Sequence, residues 1–167
     1  MLQRILNQLR EPFTVKQPVL VRQQNYSTGY VPVPGITAAA AHADGDALGT
    51  RFTFQVPRSG TISVATYVCR DDEGIEVDLV LFTAPFVETA DDAAFAPTDV
   101  DMLGFLSTIT FSTYKNFGSN QSSMAVNIGL DYVAPDRTLW AQFITRGAST
   151  IAANNMPHVA LTIRADE

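Results

Sequence analysis

The sequence predicts an all-β domain: two antiparallel sheets packed as a sandwich of jelly-roll type, preceded by an extended N-terminal arm. Three observations carry that prediction. Apolar and polar residues alternate over short runs from residue 51 onward, the period of strands with one buried face. Turn residues separate those runs at regular intervals and no long helical period intervenes, which excludes βαβ units. The first 25 residues differ in kind, being Gln-rich, interrupted by Pro12 and Pro18, and carrying four basic residues against one acid, whereas the remainder has seven basic residues against sixteen acids.

Within the arm, Leu2, Ile5, Leu6 and Leu9 fall at helical spacing. A helix this short is marginal in water and needs a partner surface. Pro12 and Pro18 bias the next stretch toward extended backbone, and Val19-Leu20-Val21 reads as a strand or clasp. The candidate partner-binding residues are therefore the apolar Leu2, Ile5, Leu6, Leu9, Val19 and Val21, with Arg4, Arg10, Lys16 and Arg22 meeting acidic surface. Residues 1–25 are read as arm and residues 26–167 as the sandwich domain.

Residues 26–50 form a turn-rich lead-in in which Ala38 to Ala41 suits one helical turn. Phe52, Phe54 and Val56 share a face. After the turn at Pro57 to Gly60, Ile62, Val64, Thr66 and Val68 point one way and Thr61, Ser63, Ala65 and Tyr67 the other, so the two runs suggest a hairpin. Gly74 closes a second turn. Val77, Leu79 and Leu81 then alternate with Asp78, Val80 and Phe82, and Asp78 is easiest to place if that face is solvated. Residues 84–101 are a long acidic connection. Four further runs follow, at 105–111, 124–130, 139–144 and 159–164: Ile109 with Phe111; Met124, Val126, Ile128 and Leu130 on one face; Leu139, Ala141 and Phe143 opposite Trp140, Gln142 and Ile144; and Val159, Leu161 and Ile163. Seven patterned strands plus one or two weaker ones near the start fit an eight-stranded jelly roll. An immunoglobulin-like sandwich is the second choice, without the Cys…Trp…Cys signature of antibody domains.

Length and composition bound the function. A chain of 167 residues with 46% apolar content can bury one core without metal or disulfides. Cys69, the only cysteine, excludes an intrachain bridge and suits a reducing compartment. No run supplies the ~18 apolar residues of a membrane helix. Asn7, Gln8 and Arg10 interrupt any apolar region of a secretion signal. A net charge of −6 disfavours nonspecific nucleic-acid binding by the body.

Chemistry-bearing residues are sparse. Glu88, Asp91, Asp92, Asp99 and Asp101 form the best candidate metal cluster, since calcium takes several oxygens from a flexible loop. They match no EF-hand spacing, and carboxylates capping short turns explain them equally well. His42 and His158 stand in unrelated contexts, with His158 at a strand start and expected at a sheet edge. No nucleophile elbow, zinc-protease or phosphate-loop pattern occurs. Cys69 beside Arg70 reads as a space-filler. Trp140 reads as core before interface anchor, and with Tyr67 and Tyr114 it would suit carbohydrate stacking if the three rings shared a surface.

Three stretches carry a family likeness: the strand Asp78 to Phe82, the acidic loop Asp92 to Asp101, and the segment Leu139 to Gly147 with the alternating strand after it. Together, over roughly residues 45–165, they resemble small β-sandwich virion structural proteins of tailed bacteriophages. The resemblance implies a non-enzymatic protein with no catalytic residues, no cofactor and no metal. Its implied role is a capsid decoration or cement protein on the virion surface, made in the host cytoplasm. The partners implied are the major capsid protein or other virion proteins and sister copies, most simply in a homotrimer. A head–tail connector, a tail component and a carbohydrate-binding jelly roll for host adsorption are the alternatives.

Overall fold

A computed structural model describes residues 24–37, 41–151 and 155–166. The Met1–Leu9 stripe, the Val19–Val21 strand and most of the Ala38–Ala41 turn lie outside the described residues. Ten strands are present among those described: β1 (Gln24–Ser27), β2 (Val31–Pro32), β3 (Ala47–Gln55), β4 (Ser59–Cys69), β5 (Val77–Phe82), β6 (Phe105–Phe111), β7 (Tyr114–Asn116), β8 (Gln121–Val133), β9 (Thr138–Thr145) and β10 (His158–Ala165). They form two antiparallel sheets. One has the order β1-β10-β4-β8-β7 with β2 also on β10, and the other the order β3-β9-β5-β6.

The pairing is nested. The outermost strands pair as β1 with β10, then β3 with β9, β4 with β8, and β5 with β6. A single long hairpin rolled on itself yields this order, which is a jelly roll. Gln24 and Asn25 already pair with Ala165 and Arg164, so the body's first strand begins two residues inside the segment read as arm.

The roll overturns the hairpin expected between residues 51–56 and 62–68. β3 and β4 lie in different sheets, and the link through Pro57 carries the chain across the sandwich. Val56 bonds back to Arg137 O at 2.9 Å, while Arg58 O accepts from Ala134 N at 2.7 Å. Adjacency in sequence favours a hairpin, but both strands have an apolar face to bury and the opposed sheets bury both.

The expected faces of β4 and β8 also change, at a bulge. Ile62 pairs with Leu130 and Val64 with Val126, so Ser63 stands opposite Asn127, Ile128 and Gly129. Asn127 and Gly129 have φ of 56° and 64°, the left-handed geometry such an insertion requires. Beyond it the pleat reverses. Ile62, Ala65, Tyr67 and Cys69 are buried, whereas Val64, Thr66 and Val68 turn outward. On β8, Ile128 and Leu130 pack against the core while Met124 and Val126 are exposed. A one-residue slip moves every later side chain to the other face.

The inner faces meet in an aromatic cluster. Phe143 of β9 lies 6.0 Å from Phe52 and 6.2 Å from Phe111 in its own sheet, and 5.5 Å from Tyr67 of the opposite sheet. Val77, Leu79, Leu81, Leu139, Leu161 and Ile163 surround it. Truncating a fully buried aromatic removes its transfer energy and leaves a cavity. Phe143→Ala is therefore expected to cost about 3–5 kcal/mol in urea denaturation; a loss under about 1 kcal/mol would mean Phe143 does not join the sheets.

Candidate interaction surface

The four-stranded sheet is covered on its outer face as well. Every residue of β5 is buried, including Asp78, Val80 and Phe82. The cover is the 84–101 connection, which lies back over the sheet as a strap. Phe86 stacks on Phe82 at 4.2 Å, and with Val80, Ile144, Phe95 and Trp140 they form a second apolar cluster. Trp140 is thus half-buried under the strap, with the Arg51 guanidinium 4.8 Å from its ring centre, a cation–π contact. Asp78 is not solvated as expected: it accepts from Thr110 Oγ1 at 2.5 Å and Arg146 Nε at 2.7 Å. These donors satisfy both oxygens of the buried carboxyl group. The near-continuous apolar run of β5 is the sequence signal for a strand covered on both sides.

Buried polar groups pin the strap. Gln142, fully buried, donates from Nε2 to Thr89 O at 2.6 Å and Gly49 O at 2.9 Å and accepts from Thr89 N at 3.3 Å. Arg51 donates to the Phe86 carbonyl. Residues 92–95 bond along the start of β3, with Asp92 N to Ala47 O at 3.0 Å and Ala47 N to Ala93 O at 2.9 Å.

Asp91 is the principal latch. It accepts from Thr37 N and Oγ1, both at 2.8 Å, from Gly49 N at 2.7 Å, and from His42 Nε2 at 3.0 Å. Gly49, at φ 71°, permits this: a Cβ there would sit 2.5 Å from Pro34 O. His42 Nδ1 faces Ser149 O at 3.1 Å. With an acceptor on each nitrogen, the ring is held as imidazolium. Burial alone would lower the His42 pKa, but the Asp91 bond, the Ser149 carbonyl and the Asp91 and Asp92 charges raise it above 6.5. Burial likewise opposes ionisation of Asp91, yet the bonds from Thr37, His42 and Gly49 hold it below 3.8. The Ser149 hydroxyl turns away to Glu73 at 2.9 Å, so Ser149, His42 and Asp91 are not arranged as a nucleophilic triad.

The acidic cluster does not converge. Asp101 accepts from Thr98 N at 2.9 Å, Thr98 Oγ1 at 2.7 Å and Val87 N at 3.1 Å, closing a turn. Glu88 accepts from Arg51 N at 3.2 Å. Among the described residues no three His, Cys, Asp or Glu side chains are grouped to hold a metal ion. His158 is not at a sheet edge, because Pro32 of β2 pairs on one side and Val68 of β4 on the other. Burial pushes the Cys69 thiol up, away from a reactive thiolate. Tyr67 is fully buried, 6.1 Å from Tyr114, and Trp140 lies on the far side of the other sheet. The three rings form no shared platform for a sugar.

The strap's outward side carries the exposed acids Glu88, Asp92 and Asp99 and, at its ends and in the 3₁₀ turn Asp101–Gly104 that follows it, four exposed apolar residues. Leu103 is 87% exposed, Val100 75%, Val87 65% and Met102 46%. The Val87–Asp101 bond brings the two ends of the strap together, so these residues form one ridge, flanked by Phe105. A second, flatter set, Met124, Val126 and Val133, is exposed on the six-stranded sheet. Sequence reasoning missed the ridge, although Val100, Met102 and Leu103 stand in an acidic loop, where apolar residues have no strand face to serve. The ten arm residues from Leu2 to Arg22 assigned to partner binding lie outside the described residues. No family model, curated protein or solved structure matches the chain.

The latch has a pH window. A raised His42 pKa contributes stability that is present below 6.5 and lost as pH rises through the folded value. A lowered Asp91 pKa contributes stability present above 3.8 and lost as pH falls through the folded value. Urea midpoints should therefore decline as pH rises above 6.5, and His42→Gln should flatten that decline. An equally steep fall in the variant would assign the effect to other groups.

Proposed function

We propose that this chain is a non-enzymatic virion structural protein, a decoration or cement protein that binds the major capsid protein shell of a tailed bacteriophage and stabilises it. The observation that carries this reading is the ridge at Val87, Val100, Met102 and Leu103, held on a strap that buried hydrogen bonds fix in place. A preformed apolar surface loses little entropy on docking, and the described residues offer binding surface in preference to a cleft of converging polar groups. The likeness of Asp78–Phe82, Asp92–Asp101 and Leu139–Gly147 to phage β-sandwich proteins supports the same role, as does a jelly-roll body of the kind used in viral shells.

The physical logic is linkage. A ligand that binds only the assembled lattice stabilises it by mass action. The basic arm adds contacts at an ordering cost, and its charge complements an acidic sister or shell surface.

Sedimentation of the purified protein with shells of the major capsid protein tests the reading. Saturable binding and slower heat disruption of the shells are expected. Deleting residues 1–23 should leave the thermal melt of the β-domain unchanged while weakening shell binding at least about tenfold. Absence of binding to shells, with binding to portal or tail assemblies in its place, would move the protein to the head–tail junction and overturn the cement assignment.

A further inference from the structure

The ridge and the root of the arm sit on opposite edges of the sandwich. β3 and β6 are the two edges of the four-stranded sheet. β1, from which the arm departs, lies beside β3, where Tyr26 Oη donates to Gln55 O at 3.1 Å. The Met102–Leu103 end of the ridge lies beside β6, where Gly104 O accepts from Thr83 N at 2.8 Å and Phe105 packs edge-on against Phe82 at 5.7 Å, while Val87 lies between Phe86 and Glu88, which bond to Arg51 of β3. Both features are at the same end of the strands. Phe105 is level with Phe82, Phe82 with Trp140, and Trp140 with Thr53, two residues from Gln55. Three strand spacings, about 14 Å, separate the edges.

From this arrangement we infer that the Leu2, Ile5, Leu6 and Leu9 stripe of one copy docks on the Val87, Val100, Met102 and Leu103 ridge of the next copy. The inference rests on the reading of residues 1–23 as a partner-binding arm and names its receiving surface. Charge is complementary: the arm carries a net +3, while residues 84–101 carry five acids and no base. Length is sufficient, since the fourteen residues from Arg10 to Gln23 span up to about 46 Å when extended. Position selects a neighbour over the same copy. Side by side, the β1/β3 edge of one copy meets the β6 edge of the next, so each root stands next to a foreign ridge. Within one copy the arm has to cross about 14 Å from the β1/β3 edge to reach Leu103 and Phe105 beside β6. A plug on one edge and a socket on the other make a head-to-tail contact, which builds a ring or an open filament according to the rotation between copies.

Light scattering and cysteine cross-linking of the full chain test this. The wild-type protein is expected at two or more times its 18.1 kDa chain mass. Leu103→Asp and Leu6→Asp should each drop to the single-chain mass with unchanged thermal melts, because Leu103 is exposed. An equimolar mixture of the two variants should regain a dimer, since one supplies an intact arm and the other an intact ridge. A Leu6→Cys, Leu103→Cys double variant should give reducible dimers and higher species on oxidation. A cross-link confined to single chains, or unchanged association in Leu103→Asp, overturns the inference. If Leu103→Asp keeps its self-association and still binds shells, the docking inference alone fails. If neither it nor the wild type binds shells, the cement reading fails separately.

Discussion

The central strand β5 of the four-stranded sheet is buried on both faces, and most of the molecule's particular features follow from that. The sheet's inner face packs on the six-stranded sheet through Phe143, Phe52, Phe111 and Tyr67. Its outer face carries Val80, Phe82, Ile144 and Trp140, too much apolar surface to leave in water at roughly 25 cal/mol per Å². No third sheet exists among the described strands, so the connection between β5 and β6 folds back as the cover. An irregular strap over a sheet leaves backbone groups with no ladder partner, and each buried one needs a bond. Gln142 and Arg51 supply those bonds to Thr89 and Phe86, and Asp91 of the strap ties it to Gly49 N of the sheet.

The cover has consequences for the surface. Its inward residues, Phe86 and Phe95, complete the second cluster, and two acids of the loop are drawn into hydrogen bonds. Asp101 organises the turn at Thr98, while Asp91 ties the strap to Thr37, His42 and Gly49. The large apolar residues that remain outside are Val87, Val100, Met102 and Leu103. The same sheet burial that fixes the strap therefore presents a rigid apolar ridge, which is the feature that makes an assembly role physically reasonable for an acidic jelly roll.

Legibility followed the period of the pattern. The inward sets of β3, β5, β9 and β10 were readable because uninterrupted alternation fixes a face: Phe52 with Phe54, Leu79 with Leu81, Leu139 with Phe143, and Leu161 with Ile163 are all buried. β4 and β8 were misread after Ile62, since nothing in ISVATYV marks the extra residue at Ser63. Asn127 and Gly129, which take positive φ opposite it, were the available hint. Asp78 was misplaced because its partners, Thr110 and Arg146, are 32 and 68 residues away. The His42–Asp91 latch spans 49 residues and was invisible for the same reason.

By itself, then, the sequence determined the class of fold, the division between a basic leading segment and an acidic body, and which residues of the regular strands face inward. These are set by local periodicity and composition, properties that neighbouring residues settle among themselves. The assignment of β3 and β4 to different sheets, the reversal of faces at Ser63, the double-sided burial of β5 and the ridge on the strap were decided only by tertiary structure. Each depends on which distant segment lies alongside. That choice is made by the burial and hydrogen bonding of the whole roll, and no single stretch of chain encodes it.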